Sequence, residues 1–432
     1  MRYYPPKVAL AVVIANMIGT GVFTSLGFQL LAISSTTTIL FLWLLGGICA
    51  LCGALCYAEL GSRHPASGGE YHFLTVLIHP YAGFVSGVVS ATVGFAAPIA
   101  LAALTFGNYL EAAGIPLNPQ WSATALIALL VSIHTRTHNE SSAGQYYFTA
   151  LKIFLIGFFI AMALYQQPAY VDQLDGSAGF FDELLSGEVA IALIYVTYAF
   201  SGWNAATYIL GEMENPGRDL PRVLLVGCTT VAFLYLALNA VFLISAPVSA
   251  LRGEVEIGYV VARYLIGEQG ALIVSIVLAG ILISTVSAMV LAGPRALQRL
   301  GGDYRQFAFL GRLNDAGIPT NAIVFLSGIA LVFLWTSTFE QILIAAGLLM
   351  ALNTLVTVLA VFVSRKKAGR RGLSKSFTMP LYPLPALVFL LITGWTVIYS
   401  AAQFPLQAFS VIAFLLIGYP LFAKWQRIQE TS

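Results

Sequence analysis

Charged side chains are scarce in this sequence. Of its 432 residues, 9% are Asp, Glu, Lys or Arg, whereas 59% are hydrophobic, and the mean hydropathy is +0.85. Soluble domains carry about 25% charged residues, so this composition excludes an ordinary soluble domain and indicates a membrane protein with many spans. The net charge is only +2, and the basic residues are spread over short loops rather than clustered. We therefore expect no nucleic-acid partner.

Cysteine and histidine are also few, and their positions exclude two kinds of site. Three of the four cysteines, Cys49, Cys52 and Cys56, share one apolar run, where small packing residues are a better interpretation than a disulfide or redox motif. All five histidines fall in or beside loops. We therefore expect no metal site in the membrane and no cofactor.

Long apolar runs, in contrast, fill most of the chain, and twelve of them are long enough to span a bilayer. They lie at about 6–30, 37–60, 78–111, 120–134, 146–166, 188–212, 221–246, 268–292, 319–336, 340–364, 380–400 and 406–424. The sequence therefore predicts an all-α membrane protein with twelve transmembrane helices in contact with lipid.

The basic residues predict the orientation. With the N-terminus in the cytoplasm, eighteen of the 21 Lys and Arg residues fall on the cytoplasmic side, and only Arg252 and Arg263 fall on the other. Retention of positive charge in the cytoplasm is the general rule. We predict a multi-pass protein of the inner or plasma membrane, with both termini cytoplasmic.

Two spans carry flexible residues at their centres. The first contains Gly19-Thr20-Gly21 and the sixth contains Ser201-Gly202. Each Gly costs a helix about 1 kcal/mol relative to Ala, so both helices are predicted to be broken, although close packing by a neighbouring helix also explains such glycines. Breaks at matching depths in two five-helix units are typical of inverted-repeat transporters, which bind substrate between the repeats. The predicted units are residues 1–166 and 167–365, followed by two helices in 366–432.

The two breaks offer complementary chemistry. Free N–H groups after the first break attract a carboxylate, and free carbonyls around the sixth attract an ammonium group, so together they fit a zwitterionic amino acid. The candidate substrate site comprises Ile18, Gly19, Thr20, Gly21, Tyr198, Ala199, Phe200, Ser201 and Gly202. Tyr198 is the candidate gate, and Asn204 is a candidate cap for the second half-helix.

Lys152 is the one formal charge well inside a predicted span. An ionisable residue at that depth is a functional candidate, although a lysine near a helix end also snorkels to the interface. Its expected role is to send its ammonium group toward the carbonyls near Met17 or Ile18. There it would replace a sodium ion or couple a proton.

Mid-span acids and arginines are absent from the first, third, sixth, eighth and tenth spans. The sequence therefore predicts a cavity without a counter-charge, which favours neutral substrates over the cationic amino acids or polyamines that are the alternative. A channel would need rings of similar residues or a carbonyl filter. An enzyme would need a catalytic pair such as two mid-span Asp residues, and we expect no catalytic residue.

Several ordered motifs carry a family resemblance. They are Ile18–Phe23, Tyr57–Gly61, Pro65–Tyr71, Phe200–Asn204, Glu212–Pro221, Gly293–Ala296 and Gly317–Thr320. Through them the chain resembles the amino acid–polyamine–organocation superfamily and, within it, the L-type amino acid transporter branch.

The resemblance implies ten helices in two inverted repeats plus two more, working by alternating access. It places the carboxylate site on Ile18, Thr20 and Gly21 and the amine site on Tyr198, Ala199 and Ser201, and it makes Lys152 the lysine of sodium-independent members. These features imply a sodium-independent exchanger or proton-linked carrier of neutral amino acids.

The chain departs from the family pattern at three places. Thr20 replaces a commoner Ser, and Ser201 stands where members with large substrates often have Gly, which favours small or medium substrates. The loop at about 112–119 lacks the cysteine that joins some members to a heavy chain, so no disulfide-linked partner is implied.

Overall fold

The computed structural model describes residues 5–136, 142–166, 169–175, 180–184, 186–373, 376–405, 409, 418–420 and 422–423. Its regular elements are helices, and no strand occurs in these ranges. The α-helices are α1 (Pro6–Met17), α2 (Gly21–Ala32), α3 (Thr36–Arg63), α4 (Gly69–Leu77), α5 (Pro80–Ala91), α6 (Val93–Ala112), α7 (Pro119–His134), α8 (Ser142–Gln166), α9 (Phe180–Leu184), α10 (Gly187–Ala199), α11 (Pro216–Ser245), α12 (Val248–Leu251), α13 (Ile257–Asp303), α14 (Ala308–Gly311), α15 (Thr320–Thr336), α16 (Phe339–Leu373) and α17 (Leu384–Gln403). Short 3₁₀ helices cover Val171–Asp175, Ala205–Glu212 and Arg305–Phe307.

Local sequence signals explain where several helices begin. The side chain of Ser35 caps α3 by accepting from the Thr38 N–H at 3.2 Å, and Ser186 caps α10 in the same way. The Asn118 carboxamide oxygen accepts from the first two N–H groups of α7. Proline occupies the first turn of α1, α5, α7, α11 and α17, where its missing N–H removes no helical hydrogen bond.

In the described part of the chain, eight helical stretches are long and apolar enough to cross a membrane. They are Pro6–Ala32, Thr36–Arg63, Pro80–Ala112, Tyr147–Gln166, Pro216–Ser245, Ile257–Asp303, Phe339–Ala368 and Leu384–Gln403. Two shorter apolar helices, Gly187–Ala199 and Thr320–Thr336, correspond to the first part of the sixth predicted span and to the ninth. The all-α, multi-pass prediction is thus confirmed. The twelve-helix count stays a prediction, because the fourth predicted span, α7, is not among these ten stretches and the twelfth falls largely outside the described residues.

The first span is interrupted where its glycines predicted. Helix α1 ends at Met17, Ile18 leaves helical dihedrals with ψ 82°, and α2 begins at Gly21. In the sixth span, α10 ends at Ala199 and the chain turns before it resumes over Ala205–Glu212. The resumed segment is a 3₁₀ helix, a difference that the sequence did not indicate.

Two predicted spans differ from the observed helices. The span predicted at 268–292 belongs to α13, which extends to both sides of the apolar run and contains a kink at Gly267, where φ is 75°. Arg263, expected in a loop, therefore lies on a helix. The third span divides at Thr92 into α5 and α6. The N-terminal extension of α13 has buried apolar residues such as Val261 beside exposed polar ones such as Arg263, so hydropathy alone misplaces the start of this helix.

The core places the broken helices between longer ones. Helix α11 packs along α3 and α1, and α6 packs along α13 and α7. Where α3 meets α10, a Cβ built on Gly46 would lie 2.3 Å from the Val196 side chain, so only Gly allows this approach. A cavity remains where the two interrupted helices meet.

Candidate functional site

The cavity has a volume of about 120 Å³ and lies between the two breaks. Both interruptions contribute to its wall, together with residues from α3, α4, α6, α13, α16 and α17. Eight of the nine candidate substrate-site residues line it, namely Gly19, Thr20, Gly21, Tyr198, Ala199, Phe200, Ser201 and Gly202. The ninth, Ile18, is fully buried and is not part of the cavity wall.

Two glycines bring the broken helices into contact. A Cβ on Gly21 would lie 2.5 Å from the Ala199 Cα, so the start of α2 touches the end of α10. Gly202 has a φ of 91°, and a Cβ there would lie 2.8 Å from the Asn16 carbonyl oxygen. The left-handed backbone and the contact both favour glycine at Gly202. The two breaks therefore form one compact unit.

The first break provides hydrogen-bond donors. Because α2 begins at Gly21, the N–H groups of Gly21 and Val22 have no acceptor within the helix, whereas the Phe23 N–H already donates to the Thr20 carbonyl at 2.9 Å. The hydroxyl of Thr20 lies beside them and interacts with the phenol of Tyr198. A helix N-terminus with a neighbouring hydroxyl is suited to a carboxylate.

The second break provides acceptors, some of which already have partners. The Tyr198 carbonyl accepts from the Ser201 N–H at 2.9 Å. The Ala199 carbonyl lies 3.2 Å from the Tyr235 hydroxyl, which lies 2.5 Å from the Met17 carbonyl. A carbonyl oxygen has two lone pairs, so these acceptors keep capacity for a ligand's ammonium group.

Sequence reasoning missed Tyr235. This residue is fully buried on α11 and reaches the last carbonyl of α1 and the last carbonyl of α10. A hydroxyl carries one proton, so it donates to one of these carbonyls at a time. Tyrosines are common in membrane helices, and nothing in the local sequence marks this one.

Lys152 lies on α8, behind the first break and outside the cavity wall. Its side chain is buried, and Nζ donates to the Ala15 carbonyl at 3.3 Å. The sequence-based expectation of Met17 or Ile18 as the acceptor is wrong, because the Met17 carbonyl already accepts from Tyr235 and from the Gly19 N–H. The ammonium still lies at the C-terminal end of α1, where the helix dipole favours positive charge.

The cavity contains an acidic side chain, contrary to the prediction from the spans. Glu70 at the start of α4 is 1% exposed and lines the cavity. Gly68 and Gly69, with φ of 120° and 55°, turn the chain so that the connector returns to the cavity. Counting acids only inside apolar runs missed this residue, although it belongs to the Pro65–Tyr71 motif.

Glu70 accepts three hydrogen bonds. The Tyr57 hydroxyl lies 3.1 Å from Oε1, and the Tyr208 hydroxyl lies 2.7 Å from Oε2. Asn204 donates its side-chain amide to Oε1. Asn204 therefore does not cap the second half-helix with its side chain, as the sequence suggested, because the buried carboxylate is the stronger acceptor.

On one side of the cavity, the half-helices α2 and α10 are joined by polar contacts. Ser25 donates to the Tyr195 carbonyl at 3.2 Å, and Gln29 donates to the Ala192 carbonyl at 3.3 Å. Trp43 holds the Gln29 carboxamide oxygen at 3.0 Å. This side is closed by buried side chains.

On the other side lies a second cavity of about 220 Å³, called the vestibule here. Its wall includes Glu212, Arg295 and Arg299. His72 lies nearby on α4, where burial lowers its pKa and Arg299 lowers it further. Above its lowered pKa His72 is neutral, so the arginines dominate the charge of this entrance.

Within the described ranges, no group of three or more His, Cys, Asp or Glu side chains is placed to hold a metal ion. The four cysteines are free thiols, three on α3 and one on α11. Cys49, Cys56 and Cys228 are buried, and Cys52 is partly exposed.

An all-helical chain with several membrane-crossing helices and a cavity between two broken ones defines a multi-pass membrane protein. A family model described as amino acid permease matches residues 7–420. The chain therefore belongs to the amino acid permease family, and its predicted resemblance to the amino acid–polyamine–organocation superfamily is confirmed.

Characterised relatives agree with this assignment. The chain is 29% identical over 269 residues to Asc-type amino acid transporter 1 of Mus musculus, covering 58% of this chain and 51% of that protein. It is 26% identical over 450 residues to Large neutral amino acids transporter small subunit 2 of Mus musculus, covering 97% and 80%. It is 27% identical over 384 residues to the Serine/threonine exchanger SteT of Bacillus subtilis (strain 168), covering 87% and 85%. The chain thus spans about half the length of Asc-type amino acid transporter 1. All three relatives are transporters rather than enzymes.

Proposed function

We propose that this chain is a sodium-independent secondary transporter of neutral amino acids that works by alternating access, as an exchanger or with proton coupling. The observation that carries the proposal is the meeting of two interrupted helices around one buried cavity. One break presents N–H donors and the other presents carbonyl acceptors. A free amino acid carries both complementary groups on adjacent atoms.

The proposed binding mode follows from the two helix ends. The carboxylate of the substrate would accept from the first turn of α2 and from the Thr20 hydroxyl, and its ammonium would donate to carbonyls in the Tyr198–Ser201 stretch. The side chain of Tyr198 lines the cavity beside Thr20, which is consistent with its proposed role as a gate.

Lys152 supports independence from sodium. Its buried ammonium donates to the Ala15 carbonyl and places a positive charge at the C-terminal end of α1. A fixed cation there supplies the charge that a bound sodium ion would otherwise supply to freed carbonyls. Because a buried lysine can also lose its proton, the same residue is the leading candidate for proton coupling.

The size of the cavity favours small and medium substrates. Its volume of about 120 Å³ is below the several hundred Å³ typical of drug-sized ligands. Ser201 adds a side chain to the wall where glycine would leave space. The relative named for serine and threonine agrees with this size class. The relative named for large neutral amino acids agrees with neutral substrates but not with a small size.

Transport of cationic amino acids or polyamines is the second candidate, and Glu70 is the observation that favours it. A carboxylate in the cavity wall is a natural partner for a cationic side chain. However, three donors already satisfy this carboxylate, so a cationic substrate would have to displace at least one of them. Neutral substrates therefore remain the first proposal.

The test is uptake of labelled alanine, serine, leucine and arginine into proteoliposomes. It is measured with and without internal amino acid, with and without sodium, and with and without a pH gradient. Uptake of neutral amino acids without sodium supports the proposal, and a need for preloading identifies an exchanger. Uptake of arginine alone would favour the second candidate, and uptake of none of the four would refute both.

The proposed architecture has twelve spans. Residues 1–166 and 167–365 would form two inverted repeats, residues 366–432 would add two helices, and both termini would be cytoplasmic. No disulfide-linked heavy chain is proposed, since the loop between α6 and α7 has no cysteine. Labelling of single cysteines added at Lys7 and Lys424 from each side of the membrane tests the orientation.

A further inference from the structure

We infer that Glu70 is a positioning residue that holds the inner barrier between the substrate cavity and the vestibule. The inference deepens the proposed function, since it concerns the path by which a substrate leaves that same cavity. Glu70 is fully buried on α4, which is a connector rather than a membrane-spanning helix. None of the contacts proposed for a neutral amino acid uses it.

The barrier is defined by the residues that the two cavities share. Asn16, Ser90, Phe95, Ala205 and Tyr208 line both cavities. Of these, Tyr208 is the largest polar side chain, and it stands on the 3₁₀ helix that follows the second break. A residue that controls the position of Tyr208 therefore also controls the wall between the two spaces.

Glu70 controls that position through two bonds. Its Oε2 accepts from the Tyr208 hydroxyl at 2.7 Å, and its Oε1 accepts from the Asn204 amide, four residues earlier in the same segment. The connector also touches the ring directly, because a Cβ on Gly69 would lie 3.0 Å from Tyr208 Cε1. The N-terminal turn of α4 thus holds both ends of one turn of the 3₁₀ helix.

The contact extends to helices on the other side of the barrier. The Tyr208 hydroxyl lies 3.3 Å from Ser90 Oγ on α5, and Asn353 on α16 donates to the same oxygen at 3.4 Å. Tyr57 on α3 holds the carboxylate from behind at 3.1 Å. The carboxylate is the centre of this network, since three of its members donate directly to it.

This arrangement gives Glu70 a role in turnover rather than in binding. A path from the cavity to the vestibule opens only when the Tyr208 side chain moves away from Ser90. The hydrogen bond to the Glu70 carboxylate stabilises the closed state, in which Tyr208 stays beside Ser90. Glu70→Gln keeps the volume but replaces one acceptor oxygen with an N–H₂ group, which cannot accept from the Asn204 amide or from the Tyr208 hydroxyl. Tyr208→Phe keeps Glu70 and removes only the hydroxyl.

Cys49 supplies a native reporter of the barrier. It lines the substrate cavity and does not line the vestibule. In a variant without the other thiols, modification of Cys49 by a small charged methanethiosulfonate reports access to the cavity. That background requires Cys52→Ala, Cys56→Ala and Cys228→Ala.

The experiment compares Glu70→Gln and Tyr208→Phe with the control Glu111→Gln, an exposed acid at the end of α6 that lines neither cavity. Because loss of a hydrogen bond to a charged group weakens a state by about tenfold, we expect both variants to speed modification of Cys49 by roughly that factor. In proteoliposomes, kcat for uptake should fall while KM changes less than about twofold. The control should match the unmodified protein in both measurements.

Two results would overturn the inference. The first is an unchanged rate of Cys49 modification in both variants, with elution and melting temperature showing that they fold. The second is a large rise in KM with unchanged modification, which would make Glu70 a substrate ligand. Modification does not depend on transport, so a chain that carries no amino acid would still test the barrier.

Discussion

The two helix breaks lie in one cavity wall but are built differently. The first is short, and the chain is back in helical dihedrals at Thr20, before α2 begins at Gly21. The second covers residues 200–204, turns through the left-handed region at Gly202, and resumes as a 3₁₀ helix. The first is supported by a lysine and the second by a glutamate, each acting on the backbone or side chains of its own break.

The difference indicates that the two breaks have different roles in transport. The first break ends in a regular α-helix, so its N–H groups are aligned and suited to hold a carboxylate. The second break ends in a shorter and less regular helix that is tied to a connector and to the shared wall of two cavities. We therefore expect changes at the first break to affect binding and charge, and changes at the second to affect movement and selectivity.

The largest effect is expected from Lys152→Ala, which removes the buried ammonium behind the first break. A hydrogen bond from a charged group contributes up to about 3 kcal/mol, so uptake should fall by the order of 100-fold. The measurement is initial uptake into proteoliposomes by protein that elutes as a single peak. Lys7→Ala, an exposed lysine at the other end of α1, is the control, and normal uptake by Lys152→Ala would show that transport does not need the buried ammonium.

The next largest effect is expected from replacing a glycine in the second break, compared with one in the first. Gly202→Ala must adopt a left-handed backbone and approach the Asn16 carbonyl, so we expect a loss of about 2 kcal/mol in the free energy of unfolding. Gly19→Ala is the matched control, because the nearest atom to its Cβ is 3.9 Å away and its φ is not left-handed. Thermal unfolding in detergent checks both variants, and equal melting temperatures would contradict the difference described above.

A smaller effect is expected at the proposed carboxylate site. Thr20→Val keeps the shape of the side chain and removes the hydroxyl, so the Kd for alanine should rise by about five- to tenfold. Thr20→Ser keeps the hydroxyl and should bind within about twofold of the original protein. Equilibrium binding to purified protein measures both, and equal affinity of the Val and Ser variants would remove Thr20 from the site.

The smallest effect is expected at the second break. Ser201→Gly enlarges the cavity by one side chain, so the ratio of leucine to alanine uptake should rise by roughly threefold to tenfold. Competition assays with both amino acids measure the ratio. A ratio that does not change would show that Ser201 does not limit the size of the substrate.

Much of the site was accessible to sequence reasoning because it depends on local backbone preferences. Glycines in the middle of apolar runs predicted both breaks, and eight of the nine candidate residues line the cavity. Lys152 was identified because a charge in a long apolar run has few explanations. Its acceptor was placed two or three residues away from the observed Ala15, since the sequence does not show which carbonyls other groups already occupy.

The two residues that sequence reasoning missed are brought to the site by contacts between distant segments of the chain. Tyr235 and Glu70 act over 36 and more than 130 positions of sequence separation, on Ala199 and on Asn204. Neither interrupts a local pattern, because a tyrosine fits any membrane helix and a glutamate fits any connector. Only the packing of α11 and α4 against the breaks gives them a role.

By itself, the sequence determined the class of this protein. Scarce charge and long apolar runs require a membrane, and the Gly-Thr-Gly and Ser-Gly stretches weaken their two helices at mid-span. The tertiary structure alone decided how the cavity is lined and closed. Glu70 lines it, Tyr235 connects the two breaks, and α2 and α10 close one side. Those outcomes depend on contacts between distant segments, which no local preference encodes.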